Sequence, residues 1–223
     1  MEDVDKESLN RYLFLADNKA HKVFAGLDYH LRNGVHIQRD YPLPGELFRF
    51  IDKYFESLEA YYYDLFGIIL IKGGNEFETF YFIDFEEGNR GRIPTDNREY
   101  LKTEHVIIGM LFLKMYKFDG NIDLERVSSF TALLFNEYEE EKEALRKLIA
   151  DAIGDKSSDF SDSKVEEVIK RAFLKFNDLG WIKWDSDKLK DRFTYMPSFE
   201  RLRSLYEAQI TEIDAILKKA NDE

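Results

Sequence analysis

The sequence predicts a mostly α-helical chain with small β-hairpins, an α+β fold, and three observations predict it. Apolar residues recur at intervals of three and four along most of the chain. Short β-branched or aromatic runs flank polar, Gly-containing turns in two places. The order is the same in both halves, helices first and a hairpin after. With 223 residues, 44% of them hydrophobic and 34% charged, the chain has enough apolar side chains for a real core and enough charge to stay in solution.

In the first half, Val23, Leu27 and Leu31, with Phe24 beside them, mark a helix over residues 20–33, and Gly34 stands where a helix C-terminal cap would. Pro44 opens a second pattern in which Leu47, Phe50, Ile51, Tyr54, Phe55, Leu58, Tyr61 and Tyr62 predict one long amphipathic helix with an aromatic face. Ile68-Ile69-Leu70-Ile71 and Thr79-Phe80-Tyr81-Phe82-Ile83 are strands around a turn at Gly73-Gly74-Asn75. In the second half, Leu101, His105, Ile108, Leu111, Phe112 and Met115 predict a helix over 100–118, followed by shorter helices over 124–135 and 142–153. Val165, Val168, Ile169, Ala172, Phe173, Phe176 and Leu179 then share one face of a helix over 163–179, with Asp162 or Ser163 as its N-cap and Gly180 as its end. Residues 181–184 and 192–196 make the second hairpin. Pro197 opens a final helix striped by Phe199, Leu202, Tyr206, Ile210, Ile213 and Leu217, a stripe that suits either a partner or the chain's own core.

Helices that run into a glycine and then a two-strand hairpin follow the winged-helix order, and here the order occurs twice. The polar, Gly-rich stretch Glu86–Pro94 is the clearest boundary, and residues 154–159 read as a loop or linker. The predicted organisation is an N-terminal winged-helix domain over 1–94, a second over 95–197, and a C-terminal helix over 198–223.

Composition excludes several chemistries. No cysteine is present, so disulfides, thiolate zinc sites and cysteine nucleophiles are out. No apolar run approaches a membrane span. The start, Met1-Glu2-Asp3-Val4-Asp5, has the wrong sign for a secretory or transit peptide, which leaves the cytoplasm as the expected address. No Gly-x-x-x-x-Gly-Lys-Ser/Thr loop exists to cradle a nucleotide. His21, His30, His36 and His105 lack metal-ligand spacing; His36 reads as a structural residue just past a helix end, and Asp84 as a solvated residue at a strand end. No catalytic residue, metal site or cofactor is therefore expected.

The net charge is −12, with an isoelectric point near 4.9. Phosphate neutralisation supplies most of the affinity for nucleic acid, so a chain this acidic needs a local basic patch or a partner with charge of its own. One stretch offers such a patch. Between Ser163 and Arg192 stand Lys164, Lys170, Arg171, Lys175, Lys183, Lys188, Lys190 and Arg192 against six acids, a net +2. Lys164, Arg171 and Lys175 share the face opposite the apolar stripe, where a recognition helix would meet DNA, with Lys188 and Lys190 reaching phosphate from the wing. The competing reading is a solvated helix face, which the interleaved acids support.

The run Val23-Phe24-Ala25-Gly26-Leu27-Asp28-Tyr29-His30-Leu31-Arg32-Asn33-Gly34-Val35-His36-Ile37 resembles the N-terminal signature of MukE-type proteins, Phe-x-x-Leu-Asp followed by Leu-Arg-x-Gly-x-His-Ile. Residues 81–84, 104–111 and 170–182 resemble that family's hairpin strand, central helix and last helix entering the wing, so the resemblance runs from about Val23 to Leu202. Tyr61-Tyr62-Tyr63 and Leu65-Phe66-Gly67 look closer to the alternative-condensin branch, MksE, and to the related Wadjet-type subunit. The resemblance implies a non-enzymatic, tandem winged-helix subunit of a bacterial condensin, usually a homodimer. Such a subunit binds a MukF-like kleisin and through it a MukB-like SMC ATPase, and meets DNA within the complex, on the nucleoid, in chromosome segregation or plasmid restriction. Two rivals remain from the residues alone. A dimeric winged-helix transcriptional regulator would share the fold elements and bind a palindromic duplex by itself. A hydrolase built on His36 and Asp84 would show turnover.

Overall fold

The computed structural model describes residues 11–85, 91–92, 101–139, 142–155, 161–186 and 188–222, with the side chains of the last helix as far as Lys219. The chain divides into two compact units, Met1–Tyr100 and Leu101–Glu223. The predicted boundary at Pro94 lies outside the described residues.

In the first unit a 3-10 turn, Leu13–Ala16, leads into α1 (Ala20–Arg32). α1 buries Val23, Leu27 and Leu31, the stripe that the spacing predicts. It ends at Gly34, whose φ is 77°. The N–H groups of Gly34 and Val35 there donate to the carbonyls of Leu31 and His30, each at 3.0 Å, and satisfy two carbonyls the helix leaves open. β1 (Ile37–Gln38), α2 (Gly45–Lys53), α3 (Phe55–Phe66), β2 (Ile69–Gly73) and β3 (Phe80–Asp84) follow. The strands form one antiparallel sheet in the order β1-β3-β2, with Ile37 opposite Tyr81 and Leu70 opposite Ile83. Phe14, Leu27, Ile51, Leu58 and Tyr62 are fully buried between the helices and this sheet.

Two features of the first unit differ from the expectation. The single long helix is two, separated at Tyr54, whose φ of −115° and ψ of 25° leave the helical range. The Tyr54 hydroxyl donates to Asp17 Oδ2 at 2.6 Å, and Lys53 Nζ reaches the same oxygen at 3.1 Å. The Tyr54 hydroxyl, then the N–H of Lys19 and Lys53, hold the Asp17 carboxyl down at about 2. The second difference is β1, which gives the hairpin a third strand. His36, one residue before it, is buried and stacks on Phe82 with ring centres 5.0 Å apart, the structural placement expected for it. Asp84, at the end of β3, accepts the N–H of Phe85 at 2.8 Å and is half-buried rather than fully solvated.

The second unit opens with α4 (Thr103–Leu113), which passes into a π-helical turn over Lys114–Phe118. α5 (Val127–Glu137), α6 (Lys142–Ile153) and α7 (Asp162–Asp178) come next, then the antiparallel pair β4 (Ile182–Trp184) and β5 (Phe193–Tyr195). A 3-10 turn, Pro197–Phe199, leads into α8 (Glu200–Asp222), which is irregular at Tyr206 (φ −129°, ψ 24°). The sequence puts Leu101, His105, Ile108, Leu111, Phe112 and Met115 on one stripe of a helix over 100–118, yet Ile107 and Leu113 are buried as well, because α6, α7 and α8 all pack against α4. The ring of Phe112 lies 5.5–5.7 Å from those of Phe130, Phe173, Phe193 and Phe199, so one aromatic cluster joins α4, α5, α7, the hairpin and the turn that leads into α8. Phe199, Leu202, Ile210, Ile213 and Leu217 are buried in the same core. The stripe of the final helix is therefore internal to its unit, which decides between its two readings.

Close packing around α4 depends on Gly109. A Cβ at this position would run into Leu202 of α8 and come within 3.2 Å of Phe176 of α7, and both side chains are fully buried. Overpacking of this kind costs about 1–3 kcal/mol. We expect Gly109→Val to lower the unfolding free energy by about 2 kcal/mol or more in urea titrations, with no change in helix content at low denaturant.

Candidate nucleic-acid interface

The eight basic residues singled out in the sequence lie on α7 and on the β4–β5 hairpin. α7 buries Val165, Val168, Ile169, Ala172, Phe173 and Phe176, and turns Lys170 and Arg171 outward, with Lys164 and Lys175 half-buried at the edges of the stripe. At least four of these eight cations hold a carboxylate already. Lys164 pairs with Asp155 at 3.0 Å, Arg171 with Glu167 at 3.0 Å, and Lys170 more loosely with Glu166 at 3.9 Å. On the hairpin, Arg192 pairs with Glu125 at 2.8 Å and Asp185 at 3.2 Å. Lys183 stands on β4 opposite Thr194, half-buried between the buried Ile182 and Trp184. Lys188 and Lys190 are exposed in the turn and hold no carboxylate among the described residues.

The structure brings Lys170 and Lys190 together, one from α7 and one from the hairpin turn. They border a groove of about 540 Å³ whose apolar lining comes from Val127, Phe135, Leu174 and Leu189. Leu189 is 80% exposed and Leu174 37%. Charge patterning does not reveal this groove, because one of its walls is α5, a helix with no basic residue. In the first unit a second cleft of about 640 Å³ is bordered by Arg11, Lys53 and Lys72. Their partners are Asp64, Asp17 and Asp52, so this cleft carries no net basic field. Among the described residues no group of three or more His, Asp or Glu side chains could hold a metal ion, and no helix is long and apolar enough to cross a membrane.

A family model described as condensin complex protein MksE matches residues 22–207. The chain belongs to this family. No curated protein matches it. The MksE match spans both units and includes all eight basic residues, and it ends one residue past the irregular turn of α8 at Tyr206. It also agrees with the MukE/MksE resemblance carried by Val23–Ile37.

Asp191, counted with the acids of the patch, has a separate structural duty in this MksE-family chain. Its Oδ1 accepts the N–H of Ser128 at 2.9 Å, and its Oδ2 accepts the Ser128 hydroxyl and Arg126 Nη1, each at 3.1 Å. Ser128 is the second residue of α5, so Asp191 caps α5 from the hairpin, 63 residues away. Partial burial pushes this carboxyl upward, but Ser128 and Arg126 outweigh it and hold it below the usual carboxylate range. We expect Asp191→Ala to cost about 1–2 kcal/mol in denaturant unfolding. Asp191→Asn, which keeps an acceptor, should lose less.

His105 stands in the first turn of α4, 8% exposed, and its Nδ1 has no hydrogen-bond partner among the described residues. Burial leads in depressing its protonation; Glu104 opposes this, while Lys102, Lys175 and Arg171 add to it. The folded protein therefore keeps His105 neutral at pH values where the unfolded chain, near its ordinary 6.5, already binds a proton. This contribution to stability is complete above pH 6.5 and is lost as the pH falls below it. His30 shifts the same way through burial. Unfolding free energies measured from pH 7.5 to 5 should decline in the wild type, and less steeply in His105→Leu.

Proposed function

We propose that this MksE-family protein is a non-enzymatic subunit of a bacterial SMC condensin. It binds a MukF-like kleisin, through it serves a MukB-like SMC ATPase, acts as a homodimer, and helps clamp DNA in the cytoplasm on the nucleoid. The biological task is chromosome organisation and segregation, or plasmid restriction. The observation that carries the reading is the family match across residues 22–207.

The fold supports it. Each unit runs helix, short extended segment, helices, hairpin, and in each the extended segment pairs with the second strand of the hairpin: Ile37–Gln38 with β3, and Arg126 with Arg192 beside β5. This repeated order is what a tandem winged-helix protein requires. The charges support it as well. On the candidate DNA face Lys164, Lys170, Arg171 and Arg192 hold carboxylates, Lys175 and Lys183 are half-buried, and Lys188 and Lys190 stand clear. A protein that gripped a duplex alone would need more phosphate contacts than this. The face suits backbone contacts to DNA that a larger assembly already holds.

The deciding experiment reconstitutes the chain with the kleisin and SMC ATPase encoded beside it. We expect co-elution with the kleisin, no measurable DNA binding by the chain alone, and salt-sensitive DNA capture by the ATP-bound assembly. Lys188→Glu with Lys190→Glu should lower that capture about tenfold while kleisin binding persists. Failure to co-elute would overturn the reading. Tight, sequence-dependent DNA binding by the isolated chain would replace it with the transcriptional regulator.

A further inference from the structure

The two most exposed large hydrophobic side chains among the described residues sit at the tips of the two hairpins: Phe77, 85% exposed, in the β2–β3 turn, and Leu189, 80% exposed, in the β4–β5 turn. Single exposed apolar residues are common and need no explanation by themselves. Their neighbours set these two apart. The first tip reads Glu76-Phe77-Glu78 and the second Lys188-Leu189-Lys190, and all six residues are exposed. One chain thus carries two apolar tips flanked by charges of opposite sign.

The tips differ in shape as well as in charge. The first is a knob. Asn75 Oδ1 accepts the N–H groups of Phe77 at 2.9 Å and of Glu78 at 3.1 Å, so the backbone of the turn is held while the ring itself stays in solvent. The second belongs to the groove of about 540 Å³, where Leu189 joins Val127, Phe135 and Leu174 in the apolar lining and Lys170 and Lys190 stand at the border. Two acids border the groove too, but Asp191 is engaged by Ser128 and Arg126, and Glu166 lies 3.9 Å from Lys170. Lys190 has a φ of 45°, a left-handed conformation that glycine adopts without strain. A lysine in that position sets a charge at the edge of the groove at some cost in backbone energy, a pattern that marks functional sites.

We propose that two copies of this chain pair through these features, with Phe77 of each copy seated in the Leu174/Leu189 groove of the other and Glu76 and Glu78 meeting Lys170 and Lys190. Both halves of the contact are present on the chain, apolar against apolar and acidic against basic. A twofold axis makes the contact twice, which doubles the area one knob buries and leaves no knob or groove unfilled. Two chains of −12 repel each other at a distance, so the opposed charges at the tips select this one approach. Lys188 is not part of the groove lining and stays open to phosphate. The proposal deepens the homodimer of the proposed function and rests on it, adding the surfaces that meet.

The test measures self-association by sedimentation equilibrium at about 0.15 M salt. It compares the full chain with Phe77→Ala, with Glu76→Lys plus Glu78→Lys, and with Lys170→Glu plus Lys190→Glu. Urea unfolding curves check that these exposed substitutions leave the fold intact. Phe77→Ala should raise the dimer Kd about 30-fold or more, the scale of an anchoring aromatic. Each charge reversal alone sets like charges against each other in both contacts and should raise the Kd about tenfold or more. An equimolar mixture of the two charge-reversed chains should associate to within about threefold of the wild type, because the mixed dimer restores opposite charges in both contacts. If the reversals weaken the dimer and the mixture does not recover, the loss arises elsewhere and the proposal is overturned. If the wild type and every variant dimerise equally, the tips serve another partner, and the proposal fails while the homodimer stands. If the wild-type chain is a monomer, the homodimer reading fails and the proposal falls with it.

Discussion

Two antiparallel strands bury too little surface to persist in water on their own, and both hairpins of this chain depend on the same remedy. The backbone between the first and second helices of each unit runs alongside the hairpin and pairs with it. In the first unit Ile37 and Gln38 pair with Tyr81 and Phe80. In the second, Arg126 bridges Arg192, and the N–H of Phe193 donates to the carbonyl of Glu125 at 2.9 Å. Asp191 then caps α5 from the hairpin side. These pairings settle which face of each hairpin meets the helices. Tyr81 and Phe193 turn into the cores, while the two turns, carrying Phe77 in one and Lys188 and Lys190 in the other, are left exposed.

The aromatic content of the chain is put to a consistent use in both units. Tyr12, Tyr54, Tyr62, Tyr81, Tyr138 and Tyr195 each donate a hydroxyl hydrogen bond to a carboxylate, respectively Asp64, Asp17, Asp28, Asp52, Asp214 and Glu200. Each ring supplies apolar area and its hydroxyl ends on a charged acceptor, a stronger contact than a neutral pair makes. Burial, then the neighbouring acid, pushes the phenols of Tyr62, Tyr138 and Tyr195 well above their ordinary range, so these hydroxyls remain donors throughout the physiological range. Asp214 also receives Lys114 at 3.0 Å, which ties the far half of α8 to the π turn and to Tyr138 together. Part of the acidity of this protein therefore has a structural use.

What the residues announce in advance is what periodicity can carry. Val23, Leu27 and Leu31, the α7 stripe, both hairpins and the stripe of α8 are repeats of 3.6 or 2, and the structure has elements at each. The break at Tyr54 escaped because Ile51 and Leu58 are seven residues apart and stay in phase across it. β1 escaped because two residues have no period. The Glu166–Lys170 and Glu167–Arg171 pairs, at i, i+4 spacing, belong to the interleaved acids behind the reading of this face as solvated. The capping of α5 by Asp191 was invisible, since nothing in a sequence links residues 128 and 191. Phe77 sits in a turn, where neither helical nor strand spacing draws attention to an apolar residue.

The arithmetic of charge sets how much of any DNA contact this chain could supply. Each phosphate neutralised adds roughly one unit to the salt dependence of binding, and proteins that hold duplex DNA by electrostatics use about 6–10 such contacts. On the candidate face only Lys188 and Lys190 are both exposed and free of a carboxylate among the described residues. Lys170 could be recruited at small cost, because a 3.9 Å surface pair with Glu166 contributes little. Two or three contacts against a background of −12 are too few to capture duplex DNA by electrostatics alone. On the proposed reading, such a subunit would add a few cations, at a hairpin turn, to a duplex that the rest of its assembly holds.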